Sequence, residues 1–189
     1  KSAPPRSPSS SRPPSGEVCA MSGERRAARF DSSGGHDADT ILWTPSRLKA
    51  VLDETPAKAP RTVVLDVRLG EAYARGHVPG AIHFSIYGLN TYDTDPAPLR
   101  SFAHMWAFLL SQRGLSPDDR VVVCGEKSGM TAARAFWFLE YLGYAQVGVL
   151  DGGFRGWEAA GLPSTQDAEL PNPVACRYTL DETLSLIHI

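Results

Sequence analysis

The chain has 189 residues, of which 42% are hydrophobic and 21% are charged, and this is the balance of a globular protein with one sizeable core. A formal net charge of -2 gives no overall attraction to nucleic acid or to anionic lipid. No apolar run reaches the roughly 18 residues that a membrane span needs, so we expect neither a nucleic acid nor a membrane as partner.

The two ends of the chain differ in composition from its middle. Residues 1–39 are rich in proline and serine and hold almost no large apolar side chains, so we expect a disordered leader. This leader lacks the apolar segment of a secretory signal peptide, although its arginines leave organelle targeting as an alternative, and Met21 is an alternative start. Residues 184–189 have no pattern that relates them to the preceding sequence, and we expect a sequencing or cloning scar there.

Strand and helix signals alternate along residues 40–163. The first helix signal is the pair Thr44-Pro45, a capping residue followed by a proline that suits the first helical turn. Short apolar runs, typical of parallel strands covered on both faces, follow at residues 63–65, 121–123 and 147–150, with a weaker one at 81–84. Apolar residues at helical spacing predict an amphipathic helix over 102–110 and a deeply buried one over 130–142. The pattern predicts an α/β fold with a parallel sheet and helices on both faces.

Three of the apolar runs end on a polar or reactive residue, namely Asp66, Cys124 and Asp151. Ligands of open α/β sheets bind outside the carboxyl ends of the strands, so these residues mark a candidate site. Cys124 precedes a glycine-containing loop and a helix start, where backbone N–H groups and the helix dipole lower a thiol pKa to about 3.5 to 7.5. The alternative is that Cys124 is a small apolar residue at the end of a buried strand.

The other two cysteines form no close pair with Cys124 or with each other. Cys19 and Cys176 lie far apart in the sequence, which argues against a disulfide framework and against a zinc finger. We therefore expect reduced thiols, a cytoplasmic location, and neither a metal nor another cofactor.

Four segments, in this order and spacing, resemble the rhodanese (sulfurtransferase) domain over roughly residues 41–163. They are Leu65-Asp66-Val67-Arg68, Gly76-His77-Val78-Pro79-Gly80-Ala81, Val121 to Cys124 with its loop, and Leu150-Asp151-Gly152-Gly153-Phe154 with Trp157. The resemblance implies a five-stranded parallel sheet with flanking helices. It also implies that Cys124 is catalytic and carries sulfane sulfur as a persulfide from thiosulfate or 3-mercaptopyruvate to cyanide or a thiol.

The same resemblance implies that the loop after Cys124 binds the substrate through its backbone amides. The residues concerned are Gly125, Glu126, Lys127, Ser128, Gly129, Met130 and Thr131. Lys127 is the loop residue best suited to attract an anion, and its alternative role is that of a solvated surface charge.

The loop departs from the pattern of active rhodaneses. The resemblance implies that an active loop carries Arg or Thr five positions after the cysteine. Here Met130 and Thr131 are six and seven positions after Cys124. The sequence is similar without gaps to the amino-terminal, usually non-catalytic domain of tandem sulfurtransferases, with Cys124 at a tyrosine position and Gly125 at the usual active-site position. A phosphatase of related fold is disfavoured because Met130 cannot supply the guanidinium that binds a phosphate.

Two functions therefore stay open at this stage. One is an enzyme that uses Cys124 as the sulfur carrier, with a small-molecule donor and a thiol or cyanide acceptor. The other is a non-catalytic scaffold or binding half of a tandem sulfurtransferase, whose reactive cysteine lies in an absent second domain. Residues 164–183, which alternate apolar positions after two prolines, are expected to form an extended connector that docks along that second domain.

The remaining marked residues are expected to support the site. Asp66 and Arg68 are suited to a structural ion pair at a strand end. His77, which precedes a Pro-Gly turn, is expected to organise that turn through hydrogen bonds. Asp151 is expected to cap the following helix beside glycines that permit a positive φ.

Overall fold

The structure is a computed structural model, and it describes residues 20–21, 38–54, 60–93 and 95–180. Most of the expected leader and all of residues 184–189 lie outside the described residues, so the disordered leader and the scar stay predictions. Within the described ranges, no helix combines the length and the apolar character that a membrane crossing requires.

Short strands and helices alternate along the chain. The strands are β1 (Ala20–Met21), β2 (Leu42–Trp43), β3 (Thr62–Asp66), β4 (Ile82–His83), β5 (Arg120–Cys124), β6 (Gln146–Leu150) and β7 (Arg177–Tyr178). The helices are α1 (Ala38–Ile41), α2 (Pro45–Asp53), α3 (Gly70–Arg75), α4 (Pro96–Gln112), α5 (Met130–Tyr141) and α6 (Gly153–Ala159). Helix α2 begins as the sequence predicts, because the Thr44 hydroxyl accepts a hydrogen bond from the Arg47 N–H at 3.2 Å. The short helices α1 and α3 and the strands β1 and β2 have no counterpart in the sequence-based prediction, and β1 lies within the segment that we expected to be a disordered leader.

Five strands form one parallel sheet in the order β2-β6-β5-β3-β4, which confirms the predicted fold. Successive side chains of a strand point to opposite faces, and the buried residues divide accordingly. Val63 and Val123 belong to a core cluster with α4 and α5, whereas Val64 and Cys124 belong to a second cluster with Leu48 of α2 and with α6. Both faces of the sheet are therefore covered, which explains the continuous apolar runs of β3, β5 and β6.

The strand register brings the predicted site residues to one edge of the sheet. Asp66 is paired with Cys124 on one side and with His83 on the other. Asp151 follows β6 directly, and its N–H donates to the Trp43 carbonyl at 2.8 Å. The carboxyl ends of β3, β5 and β6 thus meet, as the sequence predicts.

The segment after α6 packs back onto the domain. His77 and Thr165 form an antiparallel bridge with N–H···O distances of 2.9 and 3.0 Å, and the Val174 N–H donates to the Ser111 carbonyl at 3.0 Å. Tyr178 is buried in the same core cluster as α4 and α5. The expected docking partner of this segment was a neighbouring domain, but its described part contacts the domain from which it emerges. The predicted second domain stays a prediction.

One expectation about the cysteines is wrong. Cys176, which directly precedes β7, is disulfide-bonded, although we expected all thiols to be reduced. Distance along the sequence was a poor guide here, because β1 pairs with β7 and so places residues 20–21 beside residues 177–178. Cys124 is the free cysteine among the described residues.

Candidate active site

A buried ion pair lies beneath the candidate site. Arg68 donates from Nε to the Asp66 carboxylate at 3.0 Å and from Nη2 at 2.7 Å, and the same Nη2 donates to the Gly76 carbonyl at 2.7 Å. The Arg68 guanidinium also lies over the ring of Phe154, 4.0 Å from its centroid. These contacts fix both side chains in the interior, which is the structural ion pair that the sequence suggests for Asp66 and Arg68.

Cys124 is fully buried at the end of β5. Its side chain lies in the cluster that holds Tyr73, Phe154 and Trp157, and its Sγ–H donates to the Gly125 carbonyl at 3.6 Å. Burial raises the pKa of the Cys124 thiol well above its ordinary value, and the charge of Asp66 raises it further, against an opposing effect of Arg68. The expectation of a thiolate with a lowered pKa is therefore wrong: the side chain faces the core and not the N–H groups of the loop.

The loop after Cys124 is held against the start of α6 by backbone hydrogen bonds. The Phe154 N–H donates to the Gly125 carbonyl at 2.8 Å, and the Arg155 N–H donates to the Glu126 carbonyl at 3.2 Å. Gly153 allows this approach, because a Cβ at its position would lie 2.5 Å from the Gly125 oxygen. The loop and the first turn of α6 therefore form one packed unit.

Side chains reinforce this contact between the loop and α6. Glu126 accepts from Arg155 Nε at 2.8 Å and lies 3.6 Å from Arg68 Nη1. The hydrogen bond from Arg155 lowers the pKa of Glu126. Ser128 Oγ donates to Asp151 Oδ1 at 3.1 Å and accepts from the Gly152 N–H at 2.6 Å. Asp151 thus binds the loop, where the sequence suggested that it caps the following helix, and α6 has no side-chain cap.

The outer surface of the loop is exposed. Residues 126–130 are all exposed, and the side chain of Met130 is 87% accessible. Helix α5 begins there with Gly129 as its cap and without a side-chain hydrogen bond to its first turn. Thr131, in the first turn, is half-buried. Of the predicted substrate-binding residues, those at 126–130 are exposed, Gly125 is buried and Thr131 is half-buried. Cys124 lies beneath the exposed residues and is not accessible with them.

The sequence analysis missed two arginines that hold segments in place near the carboxyl ends of the strands. Arg155 holds the loop against α6 through its hydrogen bond to Glu126. The sign of this in the sequence is a basic residue that closely follows Gly152 and Gly153. Arg134 of α5 donates to the carbonyls of Ile86 and Leu89, and so holds the segment after β4 against α5. A guanidinium that binds distant carbonyl groups cannot be identified from sequence spacing.

No group of three or more His, Cys, Asp or Glu side chains is placed to hold a metal ion in the part of the chain that the structure describes. The ring of His77, two residues after the end of α3, is buried, and its nitrogens face the carbonyls of Tyr73 and Asp167. His77 therefore belongs to the support of the domain, as the sequence suggests.

A family model described as the rhodanese-like domain matches residues 44–160. The chain belongs to the rhodanese-like domain family. This finding confirms the resemblance on which the sequence-based interpretation rests, and it covers the chain from α2 to α6, with four of the five strands of the parallel sheet.

Curated relatives of this rhodanese-like chain are named sulfurtransferases. A putative thiosulfate sulfurtransferase of Mycolicibacterium smegmatis is 36% identical over 122 residues, which are 62% of this chain and 43% of that protein. A 3-mercaptopyruvate sulfurtransferase of Escherichia coli is 32% identical over 108 residues, which are 56% of this chain and 38% of that protein. The chain thus spans about two-fifths of the length of the curated relatives that it matches.

Solved structures agree on the fold. The crystal structure of SseA from Escherichia coli, described as a 3-mercaptopyruvate sulfotransferase, superposes with a TM-score of 0.64 at 22% identity, over 75% of this chain and 57% of that one. The wild-type structure of EanB superposes with a TM-score of 0.61 at 20% identity, over 77% of this chain and 38% of that one.

Proposed function

We propose that this domain is the non-catalytic half of a tandem sulfurtransferase, and that the reactive cysteine of the whole enzyme lies in a second rhodanese domain. The single observation that carries the proposal is the complete burial of Cys124. A sulfur carrier must be a thiolate that the donor can reach, and burial opposes both requirements.

The position after Cys124 supports the same proposal. In the resemblance to amino-terminal sulfurtransferase domains, Gly125 takes the usual active-site position, so a reactive sulfur would stand there. A Cβ at Gly125 would lie 3.0 Å from the Lys127 carbonyl oxygen and 3.4 Å from the Ala132 Cβ. The carbonyl oxygen carries a partial negative charge, so the environment disfavours an anionic persulfide as well as the bulk of a side chain.

In the whole enzyme, the reaction we propose is transfer of sulfane sulfur through a cysteine persulfide. The thiolate of the second domain attacks the outer sulfur of thiosulfate and releases sulfite, or takes the sulfur of 3-mercaptopyruvate and leaves pyruvate. The persulfide then passes its outer sulfur to cyanide or to a thiol, which regenerates the thiolate. This domain contributes a rigid support to the proposed enzyme.

A second candidate is that Cys124 itself carries the persulfide. One observation favours it: the positive charge of Arg68 opposes the rise in the pKa of the Cys124 thiol that burial and the charge of Asp66 cause. This function requires the loop of residues 125–129 to move away from α6, which breaks the hydrogen bonds of Phe154 and Arg155 to that loop.

The two candidates are separated by persulfide trapping. The chain is incubated with thiosulfate or with 3-mercaptopyruvate, the sulfur species are alkylated, and the mass of the peptide that contains Cys124 is measured. We expect no added sulfur on Cys124, and we expect Cys124→Ala to leave the turnover of the proposed two-domain enzyme unchanged. A persulfide on Cys124, or loss of turnover in Cys124→Ala with the fold intact, would overturn the proposal in favour of the second candidate.

A further inference from the structure

Residues 172–180, which we call the clasp, lie across the carboxyl ends of α4 and α5. The Val174 N–H donates to the Ser111 carbonyl in the last turn of α4 at 3.0 Å. The Thr179 N–H donates to the Leu142 carbonyl directly after α5 at 3.3 Å. The last carbonyl groups of a helix have no partner within the helix, so a segment that supplies N–H groups satisfies them. The clasp thus binds two helix ends through its backbone.

Each of these helix ends carries a glycine that makes room for the clasp. Gly114 and Gly143 both lie two residues after the last residue of their helix, with φ values of +79° and +82°. A Cβ at Gly114 would lie 2.7 Å from the Asn172 oxygen, and a Cβ at Gly143 would lie 2.6 Å from the Thr179 oxygen. The backbone of the clasp therefore fits because both helices end on a glycine.

Side chains hold the part of the clasp between these two glycines. Arg177 Nη2 donates to Asp118 Oδ2 at 3.0 Å and to Ser116 Oγ at 3.2 Å, both in the turn before β5. Tyr178 is buried among residues of α4 and α5, and Cys176 packs against the same core cluster. The clasp is therefore a fitted part of the domain, although it lies beyond the residues that the family model matches.

A disulfide joins the clasp to a distant part of the chain. Cys176 is disulfide-bonded and Cys124 is free, so Cys19 is the cysteine of the sequence that remains for the other half of the bond. Cys19 lies outside the described residues, but the pairing of β1 with β7 supports this assignment. Ala20 is opposite Arg177, and the two cysteines directly precede these residues in the sequence. The bond then closes a covalent loop that contains the domain.

We propose that this disulfide is a redox-sensitive lock on the clasp. While the bond is intact the clasp stays on the ends of α4 and α5, and reduction of the bond lets the clasp leave them. The intact bond limits the open states, because in each of them the clasp has to carry β1 along within a closed loop, and loop closure lowers the entropy of such states. This inference does not depend on the proposed function, since the clasp lies at the end of α5 and the candidate site at its start.

The redox step is a thiol–disulfide exchange with a dithiol as the reductant. One thiolate of the dithiol attacks a sulfur of the bond and forms a mixed disulfide, and the second thiol of the reductant then closes it to a cyclic disulfide. Two electrons pass to the protein, both of its sulfurs end as thiols, and the dithiol is oxidised. Oxidised glutathione restores the lock by the reverse exchange and leaves as two molecules of reduced glutathione.

Hydrogen exchange of the ¹⁵N-labelled chain, followed by nuclear magnetic resonance with and without dithiothreitol, tests the lock. We expect the protection of the Val174 and Thr179 amides to fall at least about tenfold after reduction, since the clasp then opens without β1. The Val67 amide, which donates to the Cys124 carbonyl at 3.0 Å, belongs to the sheet and should lose less protection than the two clasp amides.

Three variants control the measurement. In Cys176→Ser the lock is absent, so the clasp amides should have the protection of the reduced chain, and dithiothreitol should not change it. Gly143→Ala and Gly88→Ala are a matched pair: both glycines have a φ of +82°, but no atom lies within 4 Å of a Cβ at Gly88. In the oxidised chain, Gly143→Ala should lower the protection of Thr179 about tenfold through its clash with the clasp, and Gly88→Ala should leave it unchanged.

Several outcomes would overturn the proposal. Equal protection of the clasp amides with and without dithiothreitol would show that the bond does not hold the clasp, and an equal loss at Val67 would show unfolding of the whole domain. A free thiol at Cys176 after treatment with oxidised glutathione, detected by alkylation and mass measurement, would show that the bond does not form. Equal effects of Gly143→Ala and Gly88→Ala would contradict the seat on α5. If Gly143→Ala does not fold, the comparison of the wild type with Cys176→Ser decides.

Discussion

Arg68 and Asp66, only two positions apart, form a two-pronged ion pair that is closed off from solvent at the end of β3. Replacing Asp66 by alanine leaves the Arg68 guanidinium buried without its counterion. We expect Asp66→Ala to lower the free energy of unfolding by about 3–5 kcal/mol, the usual cost of breaking a buried pair from one side. Urea denaturation followed by circular dichroism measures this loss.

The exposed pair of Lys49 with Asp53 on α2 is the matched control. Asp53→Ala should change the free energy of unfolding by less than about 1 kcal/mol, because solvent screens an exposed pair. Equal losses in Asp66→Ala and Asp53→Ala would contradict the role that we give to burial.

The second prediction concerns the reactivity of Cys124. Because burial raises the pKa of this thiol, it stays protonated at neutral pH and the reagent cannot reach it. We expect native Cys124 to react with iodoacetamide roughly a hundredfold more slowly than in urea, since reaction requires local opening. A rate profile with a midpoint below the ordinary thiol value of about 8.5 would contradict both this prediction and the proposed function.

The third prediction tests the contact between the loop after β5 and α6. Gly153 has a φ of +58° and lies against the Gly125 oxygen and the Lys127 nitrogen, so Gly153→Ala meets both backbone strain and a steric clash. We expect a loss of about 3 kcal/mol in the free energy of unfolding. Gly161→Ala is the control: its φ is +69° but no atom lies within 4 Å of the added Cβ, so the loss should be about 1 kcal/mol. Similar losses of stability in Gly153→Ala and Gly161→Ala would contradict the prediction, because they would show that the loop after β5 moves and relieves the clash.

The fourth prediction is a dependence on pH. Arg155 lowers the pKa of Glu126 in the folded state, so the pair stabilises the fold above the ordinary glutamate value of about 4.3 and this contribution is lost as the pH falls through the lower, folded value. Glu126→Gln should therefore lose less stability than the wild type between neutral pH and about pH 3. Thermal denaturation at a series of pH values measures the difference. Glu158→Gln, on the exposed side of α6, should follow the wild-type profile.

The fifth prediction concerns the segment after α6. Tyr178 is buried against the core, whereas the side chain of Leu170 in the same segment is 87% accessible. We expect Tyr178→Ala to cost about 3 kcal/mol in the free energy of unfolding and Leu170→Ala to cost almost nothing. Equal effects would indicate that the segment is not packed on the domain in solution.

Local pattern was sufficient for four of the five strands of the parallel sheet, whereas β2 (Leu42–Trp43) carries no such signal. The apolar runs at residues 63–65, 121–123 and 147–150 are long enough for strands and too short for helices. The segments between these runs are long enough to contain helices, which predicts crossover connections between parallel strands. Parallel strands then end at one edge, so Asp66, Cys124 and Asp151 had to lie together. These features depend on neighbours in sequence, and the sequence by itself determined them.

The direction of one side chain was decided by the tertiary structure. Successive strand residues face opposite sides of a sheet, so the fate of Cys124 depends on what covers the face to which it points. Phe154 and Trp157 of α6 and Tyr73 of α3 cover it, and they arrive from about thirty residues after it and about fifty before it. The raised pKa of Cys124, the closed loop above it and the bridge between His77 and Thr165 all follow from such long-range packing. This packing cannot be predicted from the spacing of residues along the chain, because burial is a property of the assembled core.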